Sequence, residues 1–252
     1  MTMTRYDLLL FDLDGTLVDS VPDLTTALGL MLAELRLPAP TESIVRQIVG
    51  EGQRSLVERA LRWAGCSLVA ALDGAPEQDS AFLDDAVLRF RRRYSENLCV
   101  RTRLYDGVVE TLTALAAHAP LGIATNKPGK WARALCDTFG LSPLFRWVLG
   151  EDDVGARKPN PKILLTLCER AQVSVCQTLF VGDSRTDWRT AEAAGTDLAL
   201  CTYGYADEST LLRAAQQGAA PDLRLGSPER PYICDQFRDL LPVLLPRTTR
   251  GH

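Results

Sequence analysis

Apolar residues follow two different patterns, one before and one after about residue 105. Residues 6–11 form a short apolar run that ends in acidic residues and a glycine, which predicts a buried strand leading into a loop. Between about residues 20 and 100 the apolar positions recur at helical spacing instead. This stretch contains no convincing strand, so it predicts a small helical bundle.

The helical stretch divides into four predicted helices. Ser20, Pro22 and Asp23 resemble an N-cap, a proline near the first helical position and an acid in the first turn. The apolar faces of the next three helices lie within 44–48, 56–64 and 82–94. The separators are the prolines at 38 and 40, the segment Gly50-Glu51-Gly52 and the polar segment 73–80.

After residue 105 apolar runs alternate with helical patterns. The predicted strands are 121–125, 145–149, 178–181 and 198–201, and the predicted helices are 108–117, 129–139, 161–171, 187–195 and 235–245. This alternation predicts an α/β fold, a doubly wound (Rossmann-like) parallel sheet covered on both faces. The strand at 6–11 has no partner before residue 121, so it must join this sheet.

The helical bundle is therefore predicted to be an insertion. We expect a discontinuous α/β core of residues 1–20 and 101–252, and an inserted helical domain of residues 21–100. The last residues, 247–252, are expected to be disordered.

Composition narrows the chemistry. The chain has 252 residues and a net charge of −4, which offers no basic field to attract nucleic acid or a membrane surface. It has two histidines, His118 and His252, which argues against Ser-His-Asp catalysis and histidine-rich zinc sites. Seven scattered cysteines, with neither a signal peptide nor an apolar run of transmembrane length, predict a cytoplasmic location. Catalysis would depend on carboxylates, hydroxyls and a few cations.

Four short segments with suitable chemistry follow predicted strands or precede predicted helices. They are Asp12-Leu13-Asp14-Gly15-Thr16, Thr125-Asn126, Lys158-Pro159 and the segment from Gly182 to Asp187. Because ligands of open α/β sheets bind at the carboxyl ends of the strands, we expect these segments to lie together. Gly15 allows a sharp turn that brings backbone amides near an anion. The hydroxyl and amide of Thr125-Asn126 suit phosphate oxygens.

Several carboxylates at one edge of a sheet would repel one another without a cation. A hard divalent ion with oxygen ligands fits, and Mg²⁺ is the expected ion when phosphate is also present. A carboxylate that the metal does not use is able to act as a nucleophile and form an aspartyl-phosphate. A lysine beside it would stabilise the transferring phosphoryl group.

These four segments resemble the motifs of the haloacid dehalogenase-like superfamily, specifically its phosphatases, and the helical insertion resembles the smaller helical type of cap in that superfamily. The resemblance covers about residues 6–205. It implies that Asp12 is the nucleophile, Asp14 the general acid/base, and Thr125 a ligand of the phosphoryl oxygens, assisted by the Asn126 backbone. It further implies that Lys158 balances charge. Mg²⁺ would be held by the Asp12 side chain, the Asp14 carbonyl and Asp183, with Asp187 as a direct or water-mediated support.

Further motifs resemble the bacterial phosphoglycolate phosphatases. They are Asp19-Ser20, Gly50-Glu51-Gly52, residues 56–61, Thr125-Asn126-Lys127-Pro128, residues 182–185 and Thr202-Tyr203-Gly204-Tyr205. The resemblance implies 2-phosphoglycolate as substrate, and Arg54 and Lys127 are candidates to bind its carboxylate. Gly15, Thr16, Asn126 and Gly52 complete the predicted substrate-binding set. Glu51 departs from the asparagine common between these glycines, which affects specificity rather than chemistry.

Other functions remain open at this point. The same motifs suit a phosphatase of another small metabolite, such as a sugar phosphate, or a phosphomutase. A non-catalytic sensor of phospho-metabolites is disfavoured because Asp12, Asp14, Lys158 and Asp183 are all present. A dehalogenase is disfavoured because it has no use for Asp14. The expected partner is a small phosphorylated metabolite, and the expected assembly is a monomer or a homodimer.

Overall fold

A computed structural model describes residues 6–66, 76–205, 207, 209–212, 226–228 and 231–245. The chain divides into two compact units. The larger unit comprises residues 1–19 and 104–252, and the smaller one residues 20–103. The predicted disorder at 247–252 lies outside the described residues.

A six-stranded parallel sheet forms the centre of the larger unit. Its strands are β1 (Leu8–Phe11), β4 (Leu121–Ala124), β5 (Trp147–Leu149), β6 (Thr178–Gly182), β7 (Asp197–Cys201) and β8 (Tyr232–Cys234), in the order β5-β4-β1-β6-β7-β8. Every residue of β1, β4, β6 and β7 is buried. Burial on both faces explains why these strands are continuous apolar runs rather than alternating patterns.

Helices cover both faces of this sheet. They are α5 (Val108–Ala116), α6 (Gly129–Thr138), α7 (Glu151–Val154), α8 (Lys162–Ala171), α9 (Arg185–Ala194) and α10 (Leu240–Leu244), with 3₁₀ turns at Ser142–Leu144, Val175–Gln177 and Phe237–Asp239. On one face Leu10 packs in a cluster with α8 and α9. Its neighbour Phe11 points the opposite way, 6.1 Å from the ring of Phe145 and 5.9 Å from that of Phe237. The doubly wound α/β fold predicted above is confirmed.

The described residues of the smaller unit form four helices. These are α1 (Val21–Glu34), α2 (Glu42–Ile48), α3 (Gly52–Trp63) and α4 (Pro76–Glu96). Their apolar faces form a core that includes Leu28, Leu61 and the stacked rings of Phe90 and Tyr94, 5.6 Å apart. Two short strands, β2 (Val18–Asp19) and β3 (Arg103–Leu104), form a separate two-stranded sheet.

Asp23 lies in the first turn of α1, as predicted, and it also has a second role. Its buried carboxylate accepts hydrogen bonds from the backbone N–H groups of Val100, Arg101 and Thr102, and from the Thr102 hydroxyl. Asp23 therefore fastens the end of the helical segment to its first helix, because these donors meet the carboxylate only in the folded unit.

Two element predictions are wrong. Helix α4 begins at Pro76, inside the segment 73–80 that was expected to separate helices. The predicted helix at 235–245 is a 3₁₀ turn followed by the five-residue α10, and it is preceded by the unpredicted strand β8. Strand β8 has three residues and, among the described strands, pairs with β7 alone; its local pattern is therefore too short to identify it. Among the described helices, none combines the length and apolar character that a membrane span requires.

Candidate active site

The chemical groups gather at the carboxyl ends of the three central strands. Asp12 directly follows β1, Thr125 follows β4 and Asp183 follows β6. Strand β1 pairs with β4 on one side and with β6 on the other, so these three strand ends are neighbours. This is the edge at which open α/β sheets bind ligands.

Lys158 lies between two carboxylates. Its Nζ atom is 2.8 Å from Asp12 Oδ1 and 2.7 Å from Asp187 Oδ1. Lys158 and Asp187 are almost completely buried. Burial alone would lower the pKa of Lys158, but the charges of Asp12 and Asp187 outweigh burial and hold that pKa above its ordinary value. Lys158 is therefore a permanent cation beside Asp12.

The backbone of Lys158 is fixed by Asn126. The Asn126 side-chain oxygen accepts a hydrogen bond of 2.7 Å from Lys158 N–H, and its side-chain nitrogen donates one of 3.1 Å to the Lys158 carbonyl. The sequence had assigned the Asn126 side-chain amide to phosphate oxygens. The structure instead uses both ends of that amide to position the lysine, which leaves the backbone of Asn126 for the predicted assisting role.

Asp187 is held by the first turn of α9. Its Oδ2 atom accepts a hydrogen bond of 2.6 Å from the Ser184 hydroxyl and longer ones from the N–H groups of Asp183 and Ser184. The Ser184 hydroxyl in turn accepts from the Asp187 N–H, which completes a capping box. Ser184 thus orients Asp187. The sequence prediction did not include Ser184, although the pattern S-x-x-D at residues 184–187 is typical of a capping box.

Thr16 and Gly15 both contact Asp183. The Thr16 hydroxyl donates a hydrogen bond of 2.8 Å to Asp183 Oδ1 and so orients that carboxylate, while its predicted contact with substrate stays a prediction. Gly15 has φ +89°, and a Cβ atom there would lie 2.2 Å from an Asp183 oxygen. Gly15 is therefore required by close approach as well as by backbone conformation.

The buried carboxylates suit a divalent cation. Asp12, Asp183 and Asp187 each offer an oxygen within 4.8 Å of the others. Burial raises the pKa of Asp12 to about 7, opposed by Lys158 and reinforced by Asp187 and Asp14. Burial and repulsion by Asp187 and Asp12 also raise the pKa of Asp183. Three acids face one lysine, so a hard dication with oxygen ligands would remove an electrostatic penalty.

Asp12 supplies a specific test of this fit. Its Oδ1 atom is buried, and Lys158 Nζ, at 2.8 Å, is the cation beside it. That ammonium, which Asp187 shares, does not compensate for burial, because the pKa of Asp12 is still raised; a second cation would therefore stabilise the carboxylate. The donor set is entirely oxygen, which is the preference of Mg²⁺.

Lys127 is paired with Asp14. Its Nζ atom lies 2.9 and 3.0 Å from the two carboxylate oxygens of Asp14, and its backbone N–H donates to the Thr125 hydroxyl. The Lys127 side chain is 4% exposed and that of Asp14 is 20% exposed. The structure thus brings the cation predicted for a substrate carboxylate to the residue predicted as general acid/base.

The remaining predicted residues lie in the smaller unit. Arg54 is on α3 and forms an ion pair with Asp84. Gly50, Glu51 and Gly52 all have positive φ, at 114°, 54° and 83°. Arg59 holds this loop, donating 3.1 Å to Glu51 Oε2 and 2.6 Å to the Gly50 carbonyl. Glu51 is therefore a non-glycine residue kept in left-handed conformation by its surroundings.

Comparison with known proteins agrees with this geometry. A family model described as haloacid dehalogenase-like hydrolase matches residues 6–195. Phosphoglycolate phosphatase 1 of Pseudomonas aeruginosa is 39% identical over 236 residues, covering 93% of this chain and 78% of that protein. Phosphoglycolate phosphatase of Escherichia coli K12 is 38% identical over 242 residues, covering 93% and 90%.

Solved structures show the same similarity. A crystal structure of a predicted phosphoglycolate phosphatase from Haemophilus somnus 129pt has a TM-score of 0.80 and 35% identity, covering 96% of this chain and 99% of that one. The resemblance predicted from the motifs is confirmed, and the same relatives support the predicted enzyme class, a phosphoric monoester hydrolase. The chain belongs to the haloacid dehalogenase-like hydrolase family.

Proposed function

We propose that this protein hydrolyses a small phosphomonoester through an aspartyl-phosphate on Asp12, with 2-phosphoglycolate as its substrate. The observation that carries the proposal is the placement of Asp12 at the end of the central strand β1, 2.8 Å from the buried ammonium of Lys158. A carboxylate beside a fixed cation, with a second carboxylate two residues on, suits nucleophilic phosphoryl transfer.

In the first step a carboxylate oxygen of Asp12 attacks phosphorus, and the bond from phosphorus to the leaving oxygen breaks. Lys158 stabilises the charge that develops on the transferring group. Asp14 donates a proton to the leaving oxygen, and glycolate departs. The Thr125 hydroxyl and the Asn126 backbone bind phosphoryl oxygens.

In the second step water hydrolyses the acyl phosphate. Asp14, now a carboxylate, accepts a proton from the attacking water, and inorganic phosphate leaves with Asp12 restored. Asp12, Asp183, the Asp14 carbonyl and Asp187, directly or through water, would hold Mg²⁺. When bound, Mg²⁺ supplies positive charge that neutralises the phosphoryl group.

The substrate assignment rests on relatives and on two candidate cations, Lys127 and Arg54. The two relatives reported above, from Pseudomonas aeruginosa and Escherichia coli, carry the name phosphoglycolate phosphatase. A substrate with its own carboxylate needs a second cation besides Lys158, and Lys127 is a buried lysine beside Asp14. Arg54, on the helical unit, is the other predicted ligand of that carboxylate.

We assign the helical unit as a cap that excludes water during the first step and releases product afterwards. Gly52 and Glu51 belong to its loop before α3. The cytoplasmic location, the domain limits and the monomeric or homodimeric state stay predictions from the sequence.

The test is phosphate release from 2-phosphoglycolate beside a panel of sugar phosphates, nucleotides and other small phosphomonoesters, with Mg²⁺ and with a chelator. Asp12→Asn serves as blank. We expect Mg²⁺-dependent release with a clear preference for 2-phosphoglycolate. Preference for another ester would overturn the substrate but keep the mechanism, and formation of an isomeric hexose phosphate from hexose 1-phosphate would indicate a mutase. Absence of turnover on every ester would overturn the proposal.

A further inference from the structure

The segment Tyr203-Gly204-Tyr205, which follows β7, lies directly against Asp183, one of the three buried carboxylates of the site. The Tyr205 N–H donates a hydrogen bond of 2.7 Å to Asp183 Oδ2. The Tyr203 hydroxyl donates one of 2.8 Å to the carbonyl of Thr16. The first contact acts on Asp183 directly, and the second acts through Thr16.

These contacts hold Asp183 from both sides. Thr16, fixed by Tyr203, donates its hydroxyl to Asp183 Oδ1, while the Tyr205 N–H occupies Oδ2. Each carboxylate oxygen of Asp183 therefore has its own donor, and both donors depend on this segment. A buried carboxylate among like charges is pushed away from them, so its orientation needs such support.

Gly204 brings the segment this close. A Cβ atom at Gly204 would lie 2.3 Å from the Gly15 carbonyl oxygen and 2.4 Å from Asp183 Oδ2. Neither distance is tolerable for a side chain, and one of the obstacles is rigid backbone. Unlike Gly15, Gly204 does not need a positive φ. Its requirement is close approach alone.

The segment is anchored at its far ends. The Tyr205 hydroxyl donates to Asp19 Oδ1 at 3.2 Å, and the Tyr203 ring packs on that of Tyr105 with centroids 4.7 Å apart. Asp19 and Tyr105 lie within one residue of the ends of the larger unit's two chain segments, 1–19 and 104–252. Residues 203–205 are thus held by contacts with Asp19 and Tyr105 in addition to those with Asp183 and Thr16.

We propose that Tyr203-Gly204-Tyr205 is a positioning segment that sets the Mg²⁺ affinity of this protein by fixing the Asp183 carboxylate. The inference rests on the Mg²⁺ site of the proposed function and deepens it. None of the three residues coordinates the ion or contacts the reacting atoms. They act through Asp183 and Thr16, as supporting residues do in other metal sites.

The test is titration of the full-length protein with Mg²⁺ alone in a calorimeter, without substrate. We expect Gly204→Ala to weaken Mg²⁺ binding by about tenfold or more, because it displaces Asp183. Gly29→Ala is the matched control, because Gly29 has no positive φ and its Cβ would make only an ordinary 3.5 Å contact. It should bind Mg²⁺ as the wild type does.

Tyr205→Phe is the second variant and keeps the side-chain volume. It removes the hydroxyl anchor to Asp19 but leaves the backbone donor to Asp183, so we expect about two- to fivefold weaker Mg²⁺ binding. Its kcat should return to the wild-type value when Mg²⁺ is raised. Structural damage would also lower Tm without Mg²⁺, so this rescue together with a wild-type Tm in Mg²⁺-free buffer separates positioning from damage.

Unchanged Mg²⁺ affinity in Tyr205→Phe and Gly204→Ala would overturn the inference, as would wild-type protein that binds no Mg²⁺. If Gly204→Ala does not fold, Tyr205→Phe decides alone. Wild-type protein that binds Mg²⁺ but hydrolyses no ester would overturn the proposed function while leaving the positioning inference to be judged by the same titrations.

Discussion

Two charged clusters of this protein have the same ion-pair distances and very different consequences. The carboxylate–lysine cluster contains Asp12, Asp183, Asp187 and Lys158, and its ion pairs measure 2.7 and 2.8 Å. The arginine cluster of the helical unit contains Glu34, Arg89, Arg92 and Arg93, and its pairs with Glu34 measure 2.7 to 3.0 Å. Distance alone does not distinguish them.

Burial does distinguish them. Burial raises the pKa of Asp12 to about 7 despite the adjacent lysine. The pKa of Glu34 is instead lowered, first by the hydrogen bond from Arg93 and further by those from Arg89 and Arg92, which together outweigh its desolvation. Solvent screens the arginine cluster, so each pair there contributes little. The buried cluster stores electrostatic free energy that a ligand is able to release.

The largest expected effect is on the nucleophile. Asp12→Asn keeps the volume but removes the attacking carboxylate, so kcat should fall by at least about 10⁴-fold. The control in the exposed cluster is Glu34→Gln, which should leave kcat unchanged. Both are measured as phosphate release with saturating Mg²⁺. Substantial turnover by Asp12→Asn would remove Asp12 from the nucleophile role.

Next comes the buried cation. Lys158→Met leaves the buried carboxylates without their counter-charge, so we expect about 10³-fold loss of kcat and about 3 kcal/mol loss of unfolding free energy at pH 8 without Mg²⁺. Urea denaturation measures this loss. Arg93→Met removes a cation of the arginine cluster and should leave the midpoint of urea denaturation nearly unchanged. Equal midpoints for the two variants would show that burial does not separate the clusters.

A smaller loss of kcat is expected when Asn126 is replaced, because Asn126 acts through Lys158. Asn126→Ala removes both hydrogen bonds to the Lys158 backbone and should lower kcat about 10²-fold with KM little changed, since a small displacement of a catalytic group has that cost. Asn97→Ala is matched to it, because Asn97 donates one hydrogen bond to the Arg93 carbonyl. A kcat for Asn126→Ala equal to that of the control would contradict the positioning role.

The smallest effect concerns pH and thermal stability. The pKa of Asp12 is about 7 in the folded protein and 3.8 ordinarily. Between these two pH values Asp12 keeps a proton in the folded protein that it has lost in the unfolded chain. Stability from this group is complete below about pH 4 and is lost as pH rises through about 7. Mg²⁺ should therefore raise Tm more at pH 8 than at pH 5, by at least about 3 °C.

Asp12→Asn provides the reference for that experiment, because it cannot ionise at this position. Its Mg²⁺-dependent Tm should vary less with pH than that of the wild type. Glu34 has the opposite sign, since a lowered pKa contributes stability that is lost as pH falls. If the Mg²⁺-induced rise in Tm depends on pH in the same way in wild type and Asp12→Asn, a group other than Asp12 causes that pH dependence.

Local patterns predicted most of the α/β framework. Buried strands such as β1 and β6 are apolar runs bounded by turn residues, and the helices between them repeat every three to four residues. Strand β8 escaped prediction because three residues carry no usable period and its pairing with β7 is non-local. The start of α4 within the polar segment 73–80 shows that composition is a weak guide to a helix boundary.

Hydrophobic period and strand-end position are local properties, so the sequence alone predicts most of the strand and helix order, the α/β class and the segments that carry the carboxylates. Tertiary structure decided which partner each side chain takes. The Asn126 side chain accepts a hydrogen bond from the Lys158 backbone, the Thr16 hydroxyl donates one to Asp183, and the Tyr205 N–H donates one to Asp183 from 22 residues away. Such choices depend on distances across neighbouring strand ends and on burial, which no local pattern encodes.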